Sequence, residues 1–366
     1  MKDFAKVQKV TKACMKGATV QKVQSKLQMD GKRITVNSDD AIARITAIFQ
    51  AIGETANTAR QIAEHLADAS LSGVESHGLM RVLQYVSQYR SGYLKAGVQP
   101  FHKMTETGAH EVDGLGGIGI PAMQLAFNEN SNLARVNGIA AIAIRNCGHT
   151  GRHGTFADEA ASQGFLTILV GGGNRKTWRQ VAPYGGAKGM LPTNPWCVGI
   201  PGGEHGPVVL DFATSKIAGG WIYAARSAGA LLPEGCIIDT NGNPTQDPED
   251  YFNGGAILPS GEHKGYGLAL IGELIGEAML GPATTECNWL LVTIDTTRYR
   301  AAPRMQEITE EILAEMRSCP PAPGFDRVEI PGERERTYKK RANHHIAVPE
   351  KTWGEIMALS KSLGVK

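Results

Sequence analysis

The run Ser76-His77-Gly78-Leu-Met-Arg81-Val-Leu-Gln-Tyr85 spaces an imidazole, a guanidinium and a phenol four residues apart. On a helix that spacing puts all three side chains on one face. A guanidinium can hold a carboxylate through two parallel hydrogen bonds. An imidazole beside it can take a hydroxyl proton near neutral pH and return it. A polar face turned to solvent would have the same spacing. A second run, Asn146-Cys-Gly-His149-Thr-Gly151-Arg-His153-Gly154, follows the apolar stretch 139–144. Open α/β sheets bind ligands beyond the carboxyl ends of their strands, and the small neighbours of His149 would let a ligand approach it. His149 and His153 could ligate a metal only on a helix. Gly148, Gly151 and Gly154 argue for a loop, and no third ligand stands at zinc spacing, so no metal is expected.

Three further runs suit a phosphate-bearing ligand. Gly171-Gly-Gly173-Asn174 offers unhindered backbone N–H groups for a phosphate or an amide, or is an ordinary turn. In Val208-Val-Leu-Asp211-Phe212-Ala213-Thr214-Ser215 a strand ends at an acid. Asp211 could accept from a ribose hydroxyl, orient a catalytic histidine, or cap a helix starting near Thr214. Glu262-His263-Lys264-Gly-Tyr-Gly opens an apolar helix, where the partial positive charge of the terminus and the lysine would attract an anion, or it is an exposed cap. The glycine string 114–119 does not make a dinucleotide fingerprint. The strand about 20 residues further on ends in Arg145, where that motif needs an acid.

The elements that must position these groups follow from apolar periodicity. Over 38–93 the pattern is helical. Asn57 is placed to cap a helix with the apolar face Ala59, Ile62, Ala63, Leu66 and Ala67. Ser76 is placed to cap another, running to about Tyr93, with Leu79, Val82, Leu83 and Val86 inward. Strands are then expected at 111–113, 139–144, 165–170, 208–210 and 289–294, with Pro121 opening a helix and Asp239-Thr-Asn-Gly242 a turn between short strands. Helices are expected at 264–280, 308–316 and 350–363. The result is an α/β body over 111–299, flanked by helical segments 34–110 and 300–366 that pack together as one helical domain.

The net charge of +2 conceals an asymmetry. Residues 1–38 contain nine Lys/Arg and two Asp, a net +7, which leaves −5 on the rest. Residues 1–33 therefore read as a mobile basic extension. An acidic body does not suit nucleic-acid binding, which needs a basic face on the fold itself. The six cysteines lack any Cys-x-x-Cys pair, as expected for reduced thiols in a cytoplasmic protein. No apolar run reaches the roughly 18 residues of a membrane span.

Taken in order, these strings resemble the malate/L-lactate dehydrogenase family of the non-Rossmann type. That family includes ureidoglycolate, sulfolactate and hydroxycarboxylate dehydrogenases, diketogulonate reductases and cyclic imine reductases. The resemblance runs from about Val36 to the C-terminus. It is carried by Ser-His-Gly at 76–78, Thr-Asn-Pro at 193–195, Leu-Asp-Phe-Ala-Thr-Ser at 210–215, His-Lys-Gly-Tyr-Gly at 263–267 and Pro-Gly-Glu at 331–333. It implies a distinct NAD(P)-binding mixed-sheet α/β domain with a helical domain built from both chain ends, working as a homodimer. NAD or NADP would be lined by Gly173, Asp211, Phe212, Ala213, Thr214, His263, Lys264, Gly332, Glu333 and Arg334. Ser76, Arg81 and Tyr85 would bind substrate.

The implied reaction is direct hydride transfer between C2 of a small 2-hydroxy acid and the nicotinamide. Arg81 would hold the carboxylate and either His149 or His77 would move the hydroxyl proton. Asp211 would act behind them or on the cofactor. Two rivals remain at this level. One is an NADPH-dependent reductase of cyclic imine carboxylates. The other is a catalytically idle protein that binds an anion or nucleic acid through the basic tail. The chain departs from the family pattern at Gly171–Gly173, where hydroxyl and amide side chains are usual. It has about four extra residues near 175–179, adding Arg175, Lys176 and Arg179. It is also shorter than usual between Gly281 and Trp289.

Overall fold

The computed structural model describes residues 32–174 and 177–365. The expected extension 1–33 lies outside the described residues except for Lys32 and Arg33, as do Arg175 and Lys176.

In chain order the first elements are β1 (Arg33–Asn37), α1 (Ser38–Ala51), α2 (Ala56–Leu71), a 3-10 turn (Glu75–His77) and α3 (Arg81–Arg90). They are followed by β2 (Phe101–Met104), β3 (His110–Asp113), α4 (Gly119–Asn137), β4 (Ile139–Arg145), α5 (His153–Ser162), β5 (Phe165–Gly172), β6 (Trp196–Gly203) and β7 (Gly206–Phe212). Next come α6 (Gly219–Ala228), β8 (Ile237–Ile238), β9 (Pro244–Thr245), α7 (Pro248–Phe252), β10 (Ala256–Ile257) and α8 (His263–Glu273), which runs on into a π turn (Leu274–Met279). The chain closes with β11 (Asn288–Asp295), α9 (Ala302–Ser318), α10 (Glu333–Ala342), β12 (His345–Pro349) and α11 (Glu350–Ser362).

The centre is a mixed seven-stranded sheet in the order β2-β3-β4-β11-β5-β6-β7, in which β3 and β4 run parallel and every other pair antiparallel. The mixed α/β architecture expected from the apolar runs is therefore present. Its central strands β4, β5 and β11 are largely apolar runs because helices cover them, α4 over β4 and β11 and α5 over β5 and β6. One core joins sheet and helices. Ile45, Phe49, Ile62 and Leu66 of α1 and α2 pack in the same cluster as Met123 of α4 and Ile142 and Leu291 of the sheet. Burying each such side chain stabilises by roughly 1.5–3 kcal/mol.

The two chain ends meet through backbone pairing, since β1 and β12 form an antiparallel ribbon, Arg33 opposite Pro349 and Asn37 opposite His345. Neither strand stood out in the sequence. Two helix starts also differ from expectation. Thr55, and not Asn57, caps α2, its hydroxyl accepting from the Thr58 N–H at 3.2 Å. Pro121 is the third residue of α4 and not the first. Among the described residues no helix is long and apolar enough to cross a membrane.

Candidate active site

Ser76 does not cap α3. Residues 75–77 form a separate 3-10 turn, Gly78 leaves it in extended backbone, and α3 begins only at Arg81. His77 therefore does not share a helical face with Arg81 and Tyr85. The three groups still converge, for tertiary reasons. The Arg81 guanidinium folds back over the turn, its Nε–H donating to the Ser76 carbonyl at 2.6 Å. Ser76 Oγ lies 3.0 Å from His77 Nδ1. Tyr85 is fully buried against Phe49 and points its hydroxyl at His149 Nδ1, 2.6 Å away. The His77 and His149 rings lie 5.3 Å apart, centre to centre. Leu79, Val82 and Val86 fill the core beneath and hold α3 in place.

The loop carrying His149 is shaped by one glycine. Gly151 has φ +77°, and a Cβ there would lie 2.2 Å from His65 Nε2. That closeness lets the Arg152 N–H donate to His65 Nε2 at 2.8 Å, while the His65 ring stacks on Phe156 at 4.8 Å. It also aims the Gly151 N–H at His149 Nδ1, 3.2 Å away. A backbone N–H can only donate, so Nδ1 accepts, and the neutral ring carries its hydrogen on Nε2. Burial pushes the pKa values of both His77 and His149 well below the usual histidine value, and the Arg81 charge adds to the effect. Both imidazoles are thus neutral at pH 7. His153 does not pair with His149 as a ligand. It opens α5, bonds Thr150 Oγ1 at 2.7 Å and meets Trp289 edge-on at 4.4 Å.

A further titratable group went unnoticed in the sequence. Arg81, Gln84, Tyr85 and Gln88 form one stripe of α3 at i, i+3, i+4 and i+7. Arg81 Nη1 donates to Gln84 Oε1, and Gln88 Nε2 reaches Glu286 Oε1 at 3.5 Å. Glu286 comes from the short segment before β11. Burial raises its carboxyl pKa, and Arg81 pulls it back. The stripe spacing could have marked Gln84 and Gln88; nothing in the local sequence marked Glu286.

The residues expected around a cofactor fall in two neighbouring groups. In the first, Asp211 is the last residue but one of β7 and its Oδ2 accepts from the Gly154 N–H at 2.7 Å. It therefore caps α5, where the helix dipole favours a negative charge, and not a helix near Thr214. Gly332, Glu333 and Arg334 lie along the same edge strand, since the Val209 N–H donates to the Pro331 carbonyl at 3.1 Å. There Glu333 accepts from Arg317 at 2.6 Å and Arg334 donates to Glu335 at 2.8 Å. Phe212 and Ala213, half-buried, connect this group to the second.

In the second group Thr214 is buried and donates to the Thr193 carbonyl at 2.8 Å, and its own carbonyl accepts from the Ser260 N–H. That contact brings the start of α8, with His263 and Lys264 exposed, beside the end of β7. The sequence offered the backbone N–H groups after Gly171 to a ligand, but those of Gly173 and Asn174 are taken within the fold. Gly173 N–H donates to Glu273 at 2.9 Å and Asn174 N–H to Glu277 at 3.3 Å. A Cβ at Gly171 would strike the Trp289 ring at 2.3 Å, so packing explains that glycine. Asn194 and Glu273, also unmarked in the sequence, are joined by a 3.0 Å hydrogen bond, yet Asn194 Oδ1 and Glu273 Oε1 are buried with no partner. Among the described residues no group of three or more His, Cys, Asp or Glu is arranged to hold a metal.

Residues 36–357 match the family model described as malate/L-lactate dehydrogenase. The chain is 32% identical to hydroxycarboxylate dehydrogenase B of Escherichia coli over 88% of its own length and 92% of that protein. It is 33% identical to the Δ1-pyrroline-2-carboxylate/Δ1-piperideine-2-carboxylate reductase of Pseudomonas putida, over 87% and 94% of the two chains. Its fold superposes on the solved malate dehydrogenase of Pyrococcus horikoshii with a TM-score of 0.82 at 26% identity, covering 93% of this chain and 99% of that one.

Proposed function

The chain belongs to the malate/L-lactate dehydrogenase family, and on that premise we propose that it transfers a hydride between NAD or NADP and a small 2-hydroxy acid/2-oxo acid pair. The observation that carries this reading is the meeting of His77, His149 and Arg81, two neutral imidazoles and a guanidinium, at 5.3 Å between the rings. A bound nicotinamide dinucleotide supplies or accepts the hydride.

The residues present fit such a cofactor. The unpartnered buried oxygens Asn194 Oδ1 and Glu273 Oε1 call for donors of the kind an amide or a ribose hydroxyl provides. The exposed Lys264 at the start of α8 suits a phosphate. Thr214 would line the cofactor between them, and Gly173 lies against Glu273. Asp211 holds the start of α5 and so supports the His149 loop from behind.

Arg81 binds the substrate carboxylate. His149, with its hydrogen on Nε2, donates to the substrate oxygen and polarises a 2-oxo carbonyl. His77 Nδ1 faces a serine hydroxyl, which can donate or accept. His77 can therefore offer either a lone pair or an N–H at Nε2, and we assign it the proton. A carboxylate on Arg81 removes part of the charge that depresses the His77 pKa, so substrate binding readies His77 to hold that proton. Tyr85 keeps His149 in register.

The exposed apolar side chains Leu268, Leu270, Ile271, Leu274 and Met279 along α8 and its π turn support a homodimer. The unpaired thiols Cys147, Cys197, Cys236, Cys287 and Cys319 support a reducing, cytoplasmic setting. The deciding assay is absorbance at the nicotinamide band with a panel of 2-oxo acids and both reduced cofactors. Turnover with at least one 2-oxo acid is expected; silence across the panel would overturn the reading.

A further inference from the structure

Arg152 occupies a position that its own chemistry does not explain. It is the N-cap residue of α5, and its side chain makes no capping bond. A helix start favours Ser, Thr, Asp or Asn there and opposes a positive charge. The side chain is nonetheless mostly buried, 11% exposed. Its Nη1 donates to three oxygens, Asp68 Oδ2 at 3.3 Å, Ser72 Oγ at 3.2 Å and Thr155 Oγ1 at 3.2 Å. The Thr155 hydroxyl in turn donates to Asp68 Oδ2 at 2.9 Å, and Asp68 Oδ1 accepts from Lys339 of α10 at 2.5 Å. Gly154 leaves room for the guanidinium, since a Cβ there would lie 3.3 Å from Arg152 Nη2.

These bonds join the two segments that carry the histidines. Ser72 lies four residues before Ser76, in the stretch that leads into the 3-10 turn with His77. Arg152 and Thr155 follow His149 in the other segment, and the Arg152 N–H pins that segment to His65 of α2. Arg81 belongs to the first side, because its Nε–H holds the Ser76 carbonyl. The Arg152 side chain therefore braces a carboxylate-binding side, Arg81 with His77, against a polarising side, His149. Resting on the dehydrogenase reading, we propose that Arg152, held in place by Asp68, is a positioning residue that fixes His149 relative to His77 and Arg81 for the hydride step. It acts through the spacing of those groups and not on the reacting atoms.

The test is steady-state NADH and NADPH oxidation by the full-length protein with a 2-oxo acid that the native chain turns over. The variants are Arg152→Lys, Asp68→Asn and the double variant Arg152→Met with Asp68→Asn. Lysine keeps the charge on a shorter side chain, and the double variant leaves neither charge stranded in the interior, so it keeps the fold. A misplacement of about 1 Å can cost about 10²-fold in rate, so kcat should fall about 10–100-fold in each variant. KM should stay within about 3-fold, because the Arg81 side is untouched. Oxamate, an unreactive mimic of a 2-oxo acid, should bind the complex with reduced cofactor within about 3-fold of native, read by nicotinamide fluorescence. The double variant should lose no more kcat than the worse single variant, as two residues acting through one contact do. Native kcat in Arg152→Lys or in the double variant, losses that simply add, or a fall in kcat matched by an equal loss of oxamate affinity overturns the assignment alone. A native chain inactive on every 2-oxo acid overturns the dehydrogenase reading and this assignment with it.

Discussion

Acid should loosen this protein at His65, by an amount that one substitution can isolate. His65 lies under the His149 loop, accepts the Arg152 N–H on Nε2 and stacks on Phe156. Burial, against the pull of Asp68, lowers its pKa to about 4. In the unfolded chain the same ring titrates near 6.5. Between those values the unfolded state binds the extra proton, so the stabilising contribution is whole above about pH 6.5 and is lost as pH falls. With one pKa unit equal to about 1.4 kcal/mol, the loss is roughly 2 kcal/mol at pH 5 and roughly 3 kcal/mol at pH 4. Glu or Asp would add a charge here, whereas the amide of His65→Gln can still accept the Arg152 N–H and does not titrate. Denaturant unfolding of both proteins at several pH values should show the native chain losing about 2.5 kcal/mol relative to His65→Gln between pH 7 and pH 4.5. Other buried histidines are common to both proteins and cancel. A difference in stability that stays flat across that range would refute the reasoning.

Three further outcomes follow from the same geometry. His77→Ala should lose kcat in 2-oxo acid reduction by about 10²-fold or more, whereas His149→Ala, which removes a polarising donor, should also weaken substrate binding; equal kcat in both variants and the native protein would remove the proton assignment. Arg81→Lys keeps the charge but not the paired hydrogen bonds, so KM for a 2-oxo acid should rise about 10-fold with a smaller change in kcat; an unchanged KM would place the carboxylate elsewhere. Gly151→Ala combines φ +77° with a 2.2 Å clash on His65, and should destabilise by at least about 2 kcal/mol in thermal or denaturant unfolding; a silent substitution would show that the loop is not held as described.

Apolar periodicity was enough to locate β4, β5, β7, β11, α8, α9 and α11, because a strand or helix covered on its inner faces must be written in apolar residues at its own period. Local chemistry singled out Ser76, His77, Arg81, Tyr85 and His149 as candidates, although a polar helix face turned to solvent would show the same spacing. It misjudged how they meet. The expected single helix is broken at Gly78, and the His77–His149 contact is made by packing across the fold. Asp211 could have served several purposes by sequence; only its distance to Gly154 distinguishes the cap of α5. The β1–β12 ribbon joins five-residue strands from opposite ends of the chain, and no local signal encodes a partner so remote. Glu286 is an unremarkable acid in its own segment. Its contact with Gln88 and the influence of Arg81 on its carboxyl are set across the fold, because the dielectric and the partners around a charge exist only once the chain has folded.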